Sequence, residues 1–166
     1  MATPTSLPAT FVAGNVLTAA QMNDLRGAFR ILQVVRATDG TDRTTTSGTF
    51  VDASISVTIT PQESASAILL IWSADCENAQ GGTNARSGFS ITDSSNNAVS
   101  GAEDMRVGDT DGSYRNYGNM TVIGYDTPAT TSAVTYKGRF FQSGSTSVTL
   151  RNSGRTGQLY AIEVSA

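Results

Sequence analysis

Histidine is absent from this chain, cysteine occurs once, and charged residues make up only 15% of the sequence. Without histidine no Ser-His-Asp or Cys-His arrangement exists, and the commonest metal ligand is missing. Cys76 has no partner in its own chain, so a single copy forms neither an intrachain disulfide nor a cysteine cage for a metal. The 11 basic residues are not clustered and are outweighed by 14 acidic ones. Nucleic-acid backbones and anionic membranes both select basic stripes, so neither partner is expected. The longest apolar run, Ala67–Trp72, is far shorter than the about 20 residues a bilayer-spanning helix needs. Met1–Pro8 carries no basic stretch followed by an apolar core, so the expectation is a protein made in a reducing, cytosol-like compartment without an export signal. G-x-S-x-G, Walker and G-x-G-x-x-G patterns are missing too. No enzyme chemistry, metal or cofactor is expected.

What the chain does have is threonine, serine, glycine, valine and isoleucine in short alternating runs, a composition of strands joined by polar turns. Three regions follow: an extended arm over 1–17, a helix or stem over 18–32, and a β-sandwich over 33–166. The arm carries Pro4 and Pro8, which bias it to extended conformations, yet bears the apolar residues Leu7, Phe11, Val12 and Leu17. Such an arm orders on another surface. The helix opens with a capping box, Thr18 with Gln21, and a staple from Leu17 to Met22. Met22, Leu25, Phe29 and Leu32 then recur at 3-4-3 spacing, one narrow apolar stripe on an otherwise polar helix. A lone helix of this length is marginal in water, so the stripe rests on something: its own β-domain, identical helices about a symmetry axis, or a docking partner. Leu7, Phe11, Val12, Leu17, Met22, Leu25, Phe29 and Leu32 are the candidate docking and oligomerisation residues.

The remainder reads as eight or nine strands, an all-β antiparallel sandwich or jelly roll. A first strand leads from about Leu32 to Asp39. The cleanest sets Ile55, Val57 and Ile59 against Ser54, Ser56, Thr58 and Thr60, and Pro61 ends it. Ala67–Trp72 reads as a strand buried on both faces, with Trp72 in the core. Residues 78–86 read as a loop, 87–92 as a short strand, 93–97 as a hairpin turn, and 101–111 as an irregular excursion. Strands are expected around Tyr114–Ile123, Val134–Phe141 and Val148–Leu150. The last, Gln158–Val164, alternates Leu159, Ala161 and Glu163 with Tyr160, Ile162 and Val164, and is expected to be central.

Carboxylates occur in pairs: Asp39 and Asp42, Asp75 and Glu77, Glu103 and Asp104, Asp109 and Asp111. Asp75 and Glu77, two apart on one strand face, come nearest to the two carboxylates a glycosidase holds about 5–9 Å apart. Asp109–Gly112 opens like a calcium loop but lacks the later ligands and closing glutamate, so it reads as a turn. Tyr114 and Tyr117 are candidates for sugar stacking, though aromatic strand residues more often serve core or interface.

Two stretches carry a resemblance. Phe11–Asn23, with its G-x-x-L-T-A-A-x-M-N pattern, resembles the N-terminal region of tailed-bacteriophage structural proteins, minor tail and tail-fibre components above all. Arg43–Pro61, followed by Ile68–Ile71, is similar to β-domains of phage fibre and appendage proteins. The resemblance implies a virion protein, made in the host cytoplasm, whose arm and helix dock on other virion proteins of the tail or capsid while a trimeric β-domain faces out. It points to a minor tail or short-fibre component. The alternative is a capsid decoration (cement or head-fibre) protein, and a remote one is a module that binds or hydrolyses host surface glycan. A repetitive shaft, usual in full-length fibres, is missing.

Overall fold

Alternation of apolar with hydroxyl-bearing residues sets the architecture, because each strand then has one face that must leave water. The computed structural model describes Val16 and residues 31–79, 81–108, 115–145 and 147–165, with only the backbone for residues 81–84 and 145. Among these residues the strands are β1 (Ile31–Asp39), β2 (Arg43–Thr45), β3 (Val51–Ile59), β4 (Ala67–Asn78), β5 (Gly81–Asp93), β6 (Met105–Gly108), β7 (Asn116–Asp126), β8 (Val134–Ser145), β9 (Val148–Leu150) and β10 (Gly157–Val164). They form two antiparallel sheets packed as a sandwich. In the first, β4 pairs with β7 along one edge and with β10 and β9, end to end, along the other. Beyond these lie β1 against β10 and β2 against β9. The second sheet runs β3-β8-β5-β6.

The core lies between the inner faces. Trp72 of β4 is 1% exposed and meets Phe89 of β5 edge to face, with ring centroids 6.0 Å apart. Ile55, Val57 and Ile59 of β3 are buried while Ser54, Ser56 and Thr58 are exposed, as their alternation predicts. Burying each such aliphatic side chain contributes roughly 1.5–3 kcal/mol. Asp52 Oδ1 accepts from the Ser54 amide at 2.7 Å, at a bulge where Ser54 takes φ 58° and the pairing with β8 shifts register. The hairpin after β5 is closed by Asp93, whose Oδ1 accepts from Ser95 and Asn97 amides, each at 2.8 Å.

Several expectations give way. Ala67–Trp72 is not buried on both faces: Ile68, Leu70 and Trp72 are buried, whereas Leu69 and Ile71 stay partly exposed because no layer covers the outside of this sheet in the described residues. Residues 78–86 are not a loop. β4 continues to Asn78 and β5 begins at Gly81, held by pairing with β7, β9 and β8 despite the polar sequence. The excursion over 101–111 contains β6, an edge strand paired with β5 from Arg86 to Phe89. With β2 and β6 included there are more strands than the eight or nine expected. β10 is internal, between β1 and β4, as its position predicts.

Candidate docking surface

Of the residues singled out for docking, Leu7, Phe11, Val12, Leu17, Met22, Leu25 and Phe29 lie outside the described residues, as do the arm (apart from Val16) and the stem as far as residue 30. Leu32 is described, and it corrects the stem boundary: β1 begins at Ile31, so Leu32 belongs to a strand and not to the helical stripe. The reason is local pairing. Ile31 stands opposite Val164 and Val34 opposite Ile162, and the Leu32 carbonyl accepts from Gln62 Nε2 at 3.1 Å. β-Branched residues on a half-covered sheet edge favour the extended chain over another helical turn.

The outer face of the β1-β10-β4-β7 sheet is divided in two. Near the start of β1, cross-strand registers align Val34, Ile162, Leu69 and Tyr125 in one rung and Arg36, Tyr160, Ile71 and Ile123 in the next. Val34, Ile123 and Tyr125 are 55%, 52% and 53% exposed, with Ile162, Leu69, Tyr160 and Ile71 half-buried among them. Val164 and the 61%-exposed Ile31 continue the patch towards the beginning of β1. Arg36, on the edge strand, is the single charged residue in these rungs.

The far half of the same face is charged. Arg155 Nε lies 2.6 Å from Asp75 Oδ2. Glu77 pairs with Arg115 and, at 3.5 Å, with Arg151, whose guanidinium also stands 4.9 Å from the Tyr117 ring centroid. Asp75 and Glu77 do share a strand face, as their spacing predicts, but each faces guanidinium groups. Among the described residues, no group of three or more histidine, cysteine, aspartate or glutamate side chains is placed to hold a metal. Asp109, Asp111 and Tyr114 lie outside the described residues.

Glu163 escaped the sequence reading. Its face of β10, with Leu159 and Ala161, points into the sandwich, and Glu163 is 0% exposed. Its carboxylate accepts from Gln33 Nε2 at 2.6 Å and from the Gln62 and Glu63 amides at 2.8 and 3.3 Å. Burial pushes its pKa up, but these donors prevail and hold it below the usual glutamate value. It thereby ties β1 and the 60–66 turn to β10, directly beneath the apolar rungs. The apolar residues Tyr160, Ile162 and Val164 are left on the outside. One strand read alone does not reveal that inversion; the rungs emerge only when four strands are in register.

Neither protein-family models nor curated proteins match this chain. Solved structures similar to it include a viral capsid protein and a phage tailspike domain. The infectious bursal disease virus Gx strain structure matches at TM-score 0.41 and 14% identity, over 81% of this chain and 37% of that one. A VP2 mutant of infectious bursal disease virus, in derived T=1 particles, matches at TM-score 0.36 and 14% identity, over 79% and 36%. The enzymatically active domain of bacteriophage CBA120 tailspike protein 4 matches at TM-score 0.31 and 12% identity, over 78% and 19%. This chain therefore spans well under half the length of each. Likeness at this level does not carry function across.

Proposed function

We propose that this chain is a non-enzymatic structural protein of a bacteriophage virion, anchored to the particle by its first thirty-odd residues, with the β-sandwich displayed outward as a homotrimer. The observation that carries this reading is the Phe11–Asn23 motif standing just ahead of a sandwich whose first strand, at Ile31, begins beside the apolar half of an exposed sheet face. The described sandwich thus begins, at Ile31, at the end that carries the apolar half of the face, and the guanidinium-paired carboxylates lie at the other end. A minor tail or short-fibre component fits best, with other tail proteins as partners. The second reading is a capsid decoration protein on the major capsid protein, favoured by the absence of a shaft repeat in the sequence.

Deletion of Met1–Asn15 tests the anchor. Particles assembled with the truncated chain are expected to lack it, while its circular dichroism stays that of a folded β-protein. Incorporation at normal stoichiometry overturns the anchor. Copy number separates the two placements: a few chains per particle indicate the tail, hundreds the shell. Release of sugar from a host surface glycan by purified protein overturns the non-enzymatic reading.

A further inference from the structure

A hollow of about 350 Å³ lies in the charged half of the outer face, lined by Ser73, Ala74, Asp75, Asn119, Arg155, Thr156 and Gln158. We infer that it binds one hexose unit of a neutral carbohydrate, with the ring of Tyr117 beside it for the apolar face of the sugar. The inference goes beyond the proposed function, because it rests on the sandwich alone.

Strand register and one tight turn build the hollow. Ala74 and Cys76 turn into the core, so Ser73, Asp75 and Glu77 of β4 face outward. Gln158 of β10 stands opposite Ser73, while Asn119 and Tyr117 of β7 stand opposite Asp75 and Glu77. Beyond β9 the chain reverses. The Asn152 carbonyl accepts from the Arg155 and Thr156 amides at 3.0 and 2.8 Å, with Gly154 at φ 75° and Thr156 at φ 51°. That reversal sets Arg155 Nε 2.6 Å from Asp75 Oδ2 and gives the hollow its third side.

The ligand follows from what these groups offer. Every lining residue except Ala74 carries a polar side chain, which disfavours an apolar ligand. A free anion finds the guanidiniums taken: Arg155 pairs with Asp75, and Arg115 and Arg151 pair with Glu77. Donors and acceptors remain side by side. They are the Asn119 amide, the Ser73 and Thr156 hydroxyls, the second oxygen of Asp75, and the amino group of Gln158, whose Oε1 accepts from the Tyr160 hydroxyl at 2.7 Å. Sugar hydroxyls both donate and accept, and neighbouring pairs of them span a planar amide or carboxylate. A sugar ring also has an apolar C–H face. Tyr117 is 55% exposed, about 6.8 Å along β7 from Asn119, and its ring meets that need. The Arg151 guanidinium, 4.9 Å from its centroid, steadies it. The volume falls at the low end of the roughly 300–1,000 Å³ usual for small-molecule sites, which suits a single ring.

The test uses the full chain, isotope-labelled for NMR, with maltose, cellobiose, lactose and mannobiose as neutral probes and sodium sulfate as the anionic one. At least one disaccharide is expected to bind saturably with a millimolar dissociation constant and to shift the amide signals of residues 73–75, 117–119 and 155–158. Tyr117→Ala and Asn119→Ala, both at exposed positions, are each expected to weaken that binding about tenfold, the worth of one stacking contact or one hydrogen bond. Thr58→Ala, on the outside of the other sheet, is expected to leave it unchanged, and circular dichroism verifies the fold of all three. No saturable shift with any of the four sugars, or shifts confined to other parts of the domain, overturns the inference. Sulfate that binds these residues as tightly as the sugars overturns it too, since the guanidiniums would then be open to an anion. A chain that binds sugar here but never enters particles leaves the inference standing and overturns the proposed function; incorporation without sugar binding does the reverse.

Discussion

The Trp72 indole lies on the backbone of Gly138: a Cβ at that position would stand 2.9 Å from Trp72 Cε2 and Cζ2 and 2.9 Å from Ile55 Cγ2. Gly138 is in β8, opposite Ile91 of β5, so the largest side chain of the core is seated where the facing sheet offers no side chain of its own. Gly138→Ala is therefore expected to lower stability by roughly 1–3 kcal/mol through overpacking, read as a lower urea midpoint at unchanged slope. Trp72→Leu removes the atoms the new methyl strikes, so the two substitutions together should cost less than the sum of their separate effects. Additive costs would show that the contact is not the cause.

A second prediction concerns acid. Because the folded pKa of Glu163 is depressed below its ordinary value of 4.5, its contribution is fully present above the unfolded carboxyl's titration range and is lost as pH falls through the lower folded value. Glu163→Gln is expected to destabilise the protein at neutral pH by about 1–3 kcal/mol, since buried amide donors lose a charged acceptor. The gap between wild type and variant should narrow from about pH 5 downward. A gap that holds constant between about pH 7 and pH 3 would refute the assignment.

Glu163 also shows where reading the chain as a string succeeds and where it stops. Alternation placed β3, β8, β9 and β10, since period two along one strand is a local property that Ile55, Val57 and Ile59 express without reference to any neighbour. Trp72 is placed in the core by the continuous apolar run Ala67–Trp72 and not by alternation, and it is buried although Leu69 and Ile71 of that run are partly exposed. The strand at 81–86 and the edge strand β6 were missed because their pairing with β8 and β5 supplies what polar sequence does not. Which face of β10 turns inward depends on Gln33, Gln62 and Glu63, residues about 100 or more positions away. The exposed apolar face is likewise a product of register: Leu69, Tyr125, Val34 and Ile162 are ordinary strand residues until four strands align them.

The corner between β1 and β2 gives a third prediction. Asp39 accepts from Arg43 Nε at 2.8 Å, from the Thr41 amide at 3.0 Å and from Asn152 Nδ2 at 3.3 Å. The Arg43 guanidinium holds its carboxyl below the usual aspartate range against the opposing effect of burial. Asp39→Ala strands these donors at a site only 8% exposed, and a loss of about 1–3 kcal/mol is expected. Arg43→Ala, at a partly exposed guanidinium, should cost less. Equal costs in urea titrations would place the whole effect in the ion pair and leave Asn152 and Thr41 without a share.

The last prediction concerns Cys76. Its side chain faces the core of β4 and is 1% exposed; burial pushes the thiol up to about 11, and the neighbouring Asp75 charge adds to the shift. A thiolate is the reactive form, so the folded protein should resist a thiol reagent at about pH 8 and react with one equivalent once unfolded. The sign at alkaline pH follows from the same shift. The unfolded thiol ionises near its ordinary 9.0 while the folded one stays protonated, so stability should fall as pH rises from there towards 11. Cys76→Ala should abolish that part of the alkaline decline while introducing a small cavity cost at neutral pH. Rapid stoichiometric labelling of the native chain would mean that β4 opens locally on its own.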